Sequence, residues 1–184
     1  MEREKILVDN LLACFNLYQN AIVWAMGASF AFFFLTLSLR DPSHPPKVSL
    51  LYTEVSLATA WFIALALFFV FGGFSLTALH RAEAILTKLN PSTDLREAIL
   101  LYPSIATNQN PLVRVGSVLL CPVAIVISIF IEFWRDFKRV EWRLKDQSWE
   151  TLGGLLLLLV LVIGLYSEIA SQVWQPFGSH LTNR

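Results

Sequence analysis

"LGGLLLLLVLVIGLYSEIASQVW", residues 152–174, is apolar for most of its length and carries a single carboxylate, Glu168. At about 1.5 Å of rise per helical residue, a run of this length crosses the ~30 Å hydrocarbon core of a bilayer. Three more runs have the same character, at about 21–39, 55–79 and 112–134. Backbone in lipid must satisfy its own hydrogen bonds, so runs this long and continuous are read as helices. A membrane β-barrel would show shorter segments of alternating polarity. The sequence therefore predicts an all-α fold: an integral membrane bundle of four transmembrane helices, forming one domain over 1–184, with helical extensions beyond the bilayer.

The composition agrees. Hydrophobic residues make up 55% of the chain and charged ones 15%, against about 25% charged in a typical soluble domain. The charges gather between the apolar runs. Fourteen Lys and Arg balance 14 Asp and Glu, so there is no basic surplus of the kind nucleic acid selects. Cys14 and Cys121 stand alone, without a CxxC pair, and fall in apolar surroundings where cysteine acts as a small hydrophobe. His44, His80 and His180 are scattered, and HExxH, P-loop, GxGxxG and GxSxG patterns are missing. No enzymatic activity, metal or cofactor is expected. The opening stretch is broken by Asp9, Asn10, Asn16, Gln19 and Asn20, which is unlike a signal peptide, and the first span is expected to be retained.

The connections differ in kind. Spans 1 and 2 are joined by "RDPSHPPKVS", read as a tight proline-rich turn. Residues 81–111 are read as an extramembrane helical connection. In it the second helix runs on towards Asn90-Pro91, and a further helix starts at Thr93 or Asp94. After span 3, "EFWRDFKRVEWRLKDQSWE" places Phe130, Phe133, Trp134 and Phe137 on one face and Arg135, Arg139 and Arg143 across from it, as in an amphipathic interfacial continuation or, equally, a solvated hairpin packed against its own protein. Tyr18, Tyr102 and Trp174 are expected in one aromatic belt, Tyr52, Trp134 and Trp149 in the other. Four spans put both termini on one side. The 14 basic residues divide evenly between the two sides; the basic residues ahead of the first span favour cytoplasmic termini, the reading adopted, while the basic cluster between spans 3 and 4 points the other way.

Polar residues inside spans nominate faces. At about 100° per residue, Arg114, Ser117, Cys121, Ser128 and Glu132 share an arc of about 60° on span 3. Such a stripe suits a pore-lining face or a helix face buried inside a bundle. On span 4, Glu168 and Gln172 fall on the side shared by Gly153, Gly154, Leu157 and Leu161, and they are expected to point inward. Candidate helix–helix contacts are Asn16, Asn20 and Gly27 on span 1, and the small-residue seam Ser56, Ala60 and Ala64 on span 2. Arg114 and Glu168 come to the same end of the bundle. A salt bridge between them would require the arginine to fold back, because its side chain leans outward along its helix. The function expected is that of a non-enzymatic multi-pass membrane protein, self-associating as a homo-oligomer and forming a pore or channel with span 3 at the axis. The alternative is an accessory or assembly subunit of a larger membrane complex. The partners expected are the lipid bilayer and further membrane subunits.

Overall fold

The computed structural model of the protein describes residues 2–38, 47–50, 53–89, 98–99, 101–108, 110–140 and 148–174. Among the described residues four long helices carry the fold: α1 (Glu2–Ser38), α2 (Leu57–Leu86), α3 (Pro111–Val140) and α4 (Ser148–Trp174). All four are long and apolar enough to cross a membrane, over Glu2–Leu37, Leu57–Leu86, Leu112–Glu132 and Gly153–Val173. The amphipathic lead-in and the first apolar run are therefore one continuous helix. The helix of span 3 continues past Glu132 to Val140, and α2 stops at Leu86, short of Asn90-Pro91. The further helix expected to start at Thr93 or Asp94 falls outside the described residues, as does most of the segment after Val140.

One local expectation was wrong. Val55 and Ser56, read as the start of span 2, belong to a short antiparallel strand pair, β1 (Lys47–Leu50) and β2 (Thr53–Ser56), with Lys47 opposite Ser56 and Leu50 opposite Thr53. The cause is visible in the residues. "KVSL" alternates polar and apolar with period two, and the pair carries β-branched Val48, Thr53 and Val55, which suits a strand better than a helix. The helix begins where Ser56 can cap it, its Oγ accepting from the Thr59 amide at 3.1 Å. At the head of α3, Asn110 plays the same part, its Oδ1 accepting from the Leu112 amide at 2.9 Å ahead of Pro111 at the first helical position.

Within the bundle α1 packs most extensively against α2 and also against α3, while α4 packs against α3 and α2. The pairs α1/α4 and α2/α3 lie on the diagonals. Large apolar side chains such as Trp24, Phe34, Phe62, Phe74, Leu157 and Val160 are exposed on the outer faces, a surface that suits lipid and not water. With lipid outside, hydrophobicity gives little drive for helix to meet helix, and packing and hydrogen bonds decide. The α1–α2 seam shows both: Trp61 donates to Thr36 Oγ1 at 3.0 Å, and its ring lies 4.4 Å from that of Phe32.

The four-span arrangement makes a direct prediction. In a background lacking Cys14 and Cys121, Glu2→Cys and Asn108→Cys should react with an impermeant thiol reagent from one side of the membrane, and Ser49→Cys from the other. Labelling of all three from one side would break the arrangement.

Candidate functional site

The span 3 stripe turns inward. Arg114, Cys121 and Ser128 are buried, and Ser117 and Glu132 are half-buried. Its face is the one that α3 presents to α1 and α4. The hydroxyls of the stripe are satisfied within their own helix: Ser117 Oγ donates to Val113 O and Arg114 O at 2.8 and 2.9 Å, and Ser128 Oγ to Ala124 O at 2.7 Å. The Cys121 thiol stands 3.5 Å from Ser117 O and 3.6 Å from Ile22 O of α1. Three of the five stripe residues are thus buried within the protomer.

Arg114 does fold back, but not onto Glu168. Its Nε donates to Val173 O at 3.2 Å and its Nη1 donates to Asn108 O. Val173 lies in the last turn of α4, where carbonyls lack helical partners and the helix dipole is negative. One guanidinium therefore ties the start of α3 to the end of α4 and to the connection preceding α3. That connection is itself folded against the bundle. Tyr102 donates to Asn16 Oδ1 at 2.8 Å, while Ser104, Ala106 and Thr107 are buried beneath it.

Glu168 overturns the expectation made for it. It is exposed, and among the described residues its carboxylate accepts from Gln172 Nε2, one turn along the same helix, at 3.4 Å. The inward stripe of α4 is Val162, Tyr166, Ile169 and Val173. Gly153, Gly154, Leu157, Leu161, Gly164, Glu168 and Ser171 lie on an arc centred about 150° away from it, and all are exposed. A β-carbon added at Gly153, Gly154 or Gly164 would meet nothing within 4 Å. The physical reason is packing: Tyr166 and three branched aliphatics fill the core more completely than glycine and serine can. The outer face continues onto α2 through an apolar groove of about 640 Å³ lined by Phe69, Val160, Leu161, Gly164 and Leu165.

The expected contacts divide in the same manner. Ala60 and Ala64 are buried and line a groove with Ala28 and Ala31 of α1. Asn16, Asn20 and Gly27 are exposed on the outer side of α1, whose inner side is set by Phe15, Tyr18, Ile22, Ala25 and Phe32. Ser56 is exposed as a cap. Tyr18, expected in an interfacial belt, has none of its surface exposed and stands inside the bundle. Among the described residues no three His, Cys, Asp or Glu side chains come together to hold a metal, and both cysteines are free thiols.

Comparison with protein-family models, with curated proteins and with solved structures finds no match.

Proposed function

We propose that this chain is a non-enzymatic, multi-pass membrane protein that associates with a second copy of itself through the outer face of α4. The observation that carries the reading is Glu168, an ionisable group exposed inside a candidate span, on a face of glycines with open space above them. A charged group turned to lipid costs a few kcal/mol near the bilayer centre and less towards its edge. Glycines let another backbone approach closely, so that this cost is exchanged for hydrogen bonds and packing. Glu168 and Gln172 offer an acceptor and a donor side by side, so the patch complements itself about a two-fold axis, the commonest symmetry of oligomers. The α3 stripe has no part in this contact, being used inside the protomer.

The test is energy transfer between labelled copies diluted in bilayers. Gly164→Leu and Glu168→Leu should each weaken association by about 1–2 kcal/mol, on the order of tenfold in the dissociation constant. Glu168→Gln should be milder, because it retains an acceptor. Gly27→Leu, on the outer face of α1 with open space above it, should leave association unchanged. A monomer at every dilution would overturn the reading. A foreign protein in fixed stoichiometry on the same face, sensitive to Gly164→Leu, would replace it with the accessory-subunit reading.

A further inference from the structure

Contacts around the bundle set the four helices level with one another. On the α1–α2 seam, Trp61 donates to Thr36 at 3.0 Å and Trp24 stacks on Phe71 at 6.0 Å. On the α1–α3 seam, Cys121 Sγ stands 3.6 Å from Ile22 O. On the α3–α4 seam, Arg114 Nε donates to Val173 O at 3.2 Å. Between α4 and α2, a β-carbon at Gly72 would stand 2.7 Å from Leu165 Cδ2. Helical rise is the same in all four, so heights can be carried from one helix to the next. Through α1 or through α4, Leu112 at the start of span 3 comes level, to about one turn, with His80 and Arg81 of α2. Glu132, at the far end of the same span, comes level with Phe62 and Ile63, near the start of α2.

The outer faces of α2 and α3 do not match at those heights. On α2 the last exposed large apolar residue is Phe74, and the exposed residues Thr77, His80 and Arg81 follow it. On α3 the exposed residues are apolar from the first turn, through Leu112, Val113, Leu119, Leu120, Val123 and Ile127, with Leu112 79% exposed. At the other end α2 is still apolar and exposed at Phe62 and Ile63, where α3 already carries Glu132. The apolar stretch of α3 is therefore displaced towards the side of the chain termini by about one to one and a half turns, roughly 5–8 Å. The displacement has the same sign at both ends, which a longer or shorter helix would not give. Because α2 and α3 lie on a diagonal, the step runs across the whole bundle.

We propose that the bundle crosses the bilayer obliquely, leaning along the α2–α3 diagonal, so that the first turn of α3 is immersed in the acyl chains of the leaflet on the side of the termini. His80 and Arg81, at the same height on α2, stand in water. The occupant of the Leu112 face is lipid, because that face continues into Leu119, Leu120 and Val123 without an exposed polar residue between them. Helices packed 8–10 Å apart put the diagonal at about 13 Å, so the step corresponds to a lean on the order of 25°. Membrane helices commonly tilt this much. An upright bundle would either hold Leu112 and Val113 in water or draw Arg81 into the acyl chains, where a charge is costly. The inward turn of Arg114 follows from the same depth: one turn inside the edge of the apolar face, an outward guanidinium would meet lipid. The lean is independent of whether α4 meets a second copy.

The experiment places a nitroxide at Leu112, Val113 or His80 of the full chain, in a background lacking Cys14 and Cys121, reconstituted in phosphatidylcholine vesicles. Collisions with oxygen, which concentrates among acyl chains, are compared with collisions with a water-soluble nickel chelate. Oxygen should dominate at Leu112 and Val113 and the chelate at His80, a reversal between positions of equal height. A second measurement needs no substitution: infrared dichroism of the chain in oriented bilayers should give a mean helix tilt on the order of 25°. Dominance of the chelate at all three positions would overturn the proposal, as would helices lying along the bilayer normal. Exclusion of both reagents from Leu112 would overturn it too, since protein and not lipid would then cover that face.

Discussion

Gly72→Leu is expected to cost the fold about 3 kcal/mol, while the same change at Gly73 is expected to be silent. The two residues are neighbours in sequence and opposites in environment. A β-carbon at Gly72 would come within 2.7 Å of Leu165 Cδ2 and 3.3 Å of Tyr166 Oη; one at Gly73 would meet nothing within 4 Å. Gly72 faces the Leu165–Tyr166 stretch of α4. Gly72→Ala is the instructive intermediate. Its contact is with the far end of a flexible leucine, which can turn aside, and alanine gains about 1 kcal/mol of helix propensity over glycine. The two effects should nearly cancel. A leucine has no such escape, since it must displace the Tyr166 ring from its stack on Phe68 at 4.9 Å. Unfolding titrations of the three variants in mixed micelles check this. Equal tolerance of leucine at both positions would mean that α4 does not close on α2 as described.

How much of this could be read from the residues alone depends on the scale of the question. The four spans were legible because length and apolarity act over 20 residues at a time, and one misplaced polar group does not change the sum. The strand pair at 47–56 was missed because a four-residue alternation is a weak signal beside a proline-rich stretch and a long apolar run. Helix faces were legible as arcs but not as directions. Gly153 to Ser171 does form one face of α4, as its spacing implies, yet spacing alone cannot tell inside from outside when both environments are apolar. The rule that polar residues turn inward failed at Glu168 and Asn16, where core volume decided instead: Tyr166 and Phe15 occupy the inner positions. Tyr18 and Tyr166 carried a readable signal, each being four or seven residues from other inward-facing positions. Tyrosine is common enough at membrane interfaces that the interfacial reading of Tyr18 took precedence.

Arg114→Met should destabilise the bundle by about 2–3 kcal/mol and loosen one end of it more than the rest. Methionine preserves much of the volume, so the loss reports the guanidinium. In the first turn of α3 a cation faces the positive end of its own helix dipole, an unfavourable place. Its position is explained by its neighbour: Nε donates to Val173 O in the last turn of α4, and Nη1 donates to Asn108 O. Hydrogen bonds from a charged group contribute about 1.5–3 kcal/mol each, and losing the donor leaves carbonyls unpaired. The desolvation of a side chain with only 3% of its surface exposed offsets part of that gain, which is why the net figure is smaller than the sum. Lysine, a point charge without the planar fork, should recover about half. Hydrogen exchange should quicken over 101–108 and the final turn of α4 before it quickens over 21–36 of α1. The decisive comparison is with Glu168. No bond joins the two side chains, and the Glu168 carboxylate instead accepts from Gln172. Stability losses in Arg114→Met and Glu168→Gln should therefore add, within about 0.5 kcal/mol. A coupling well above that would place the carboxylate against the arginine after all, and would turn Glu168 from an outer-face residue into part of the bundle's own end.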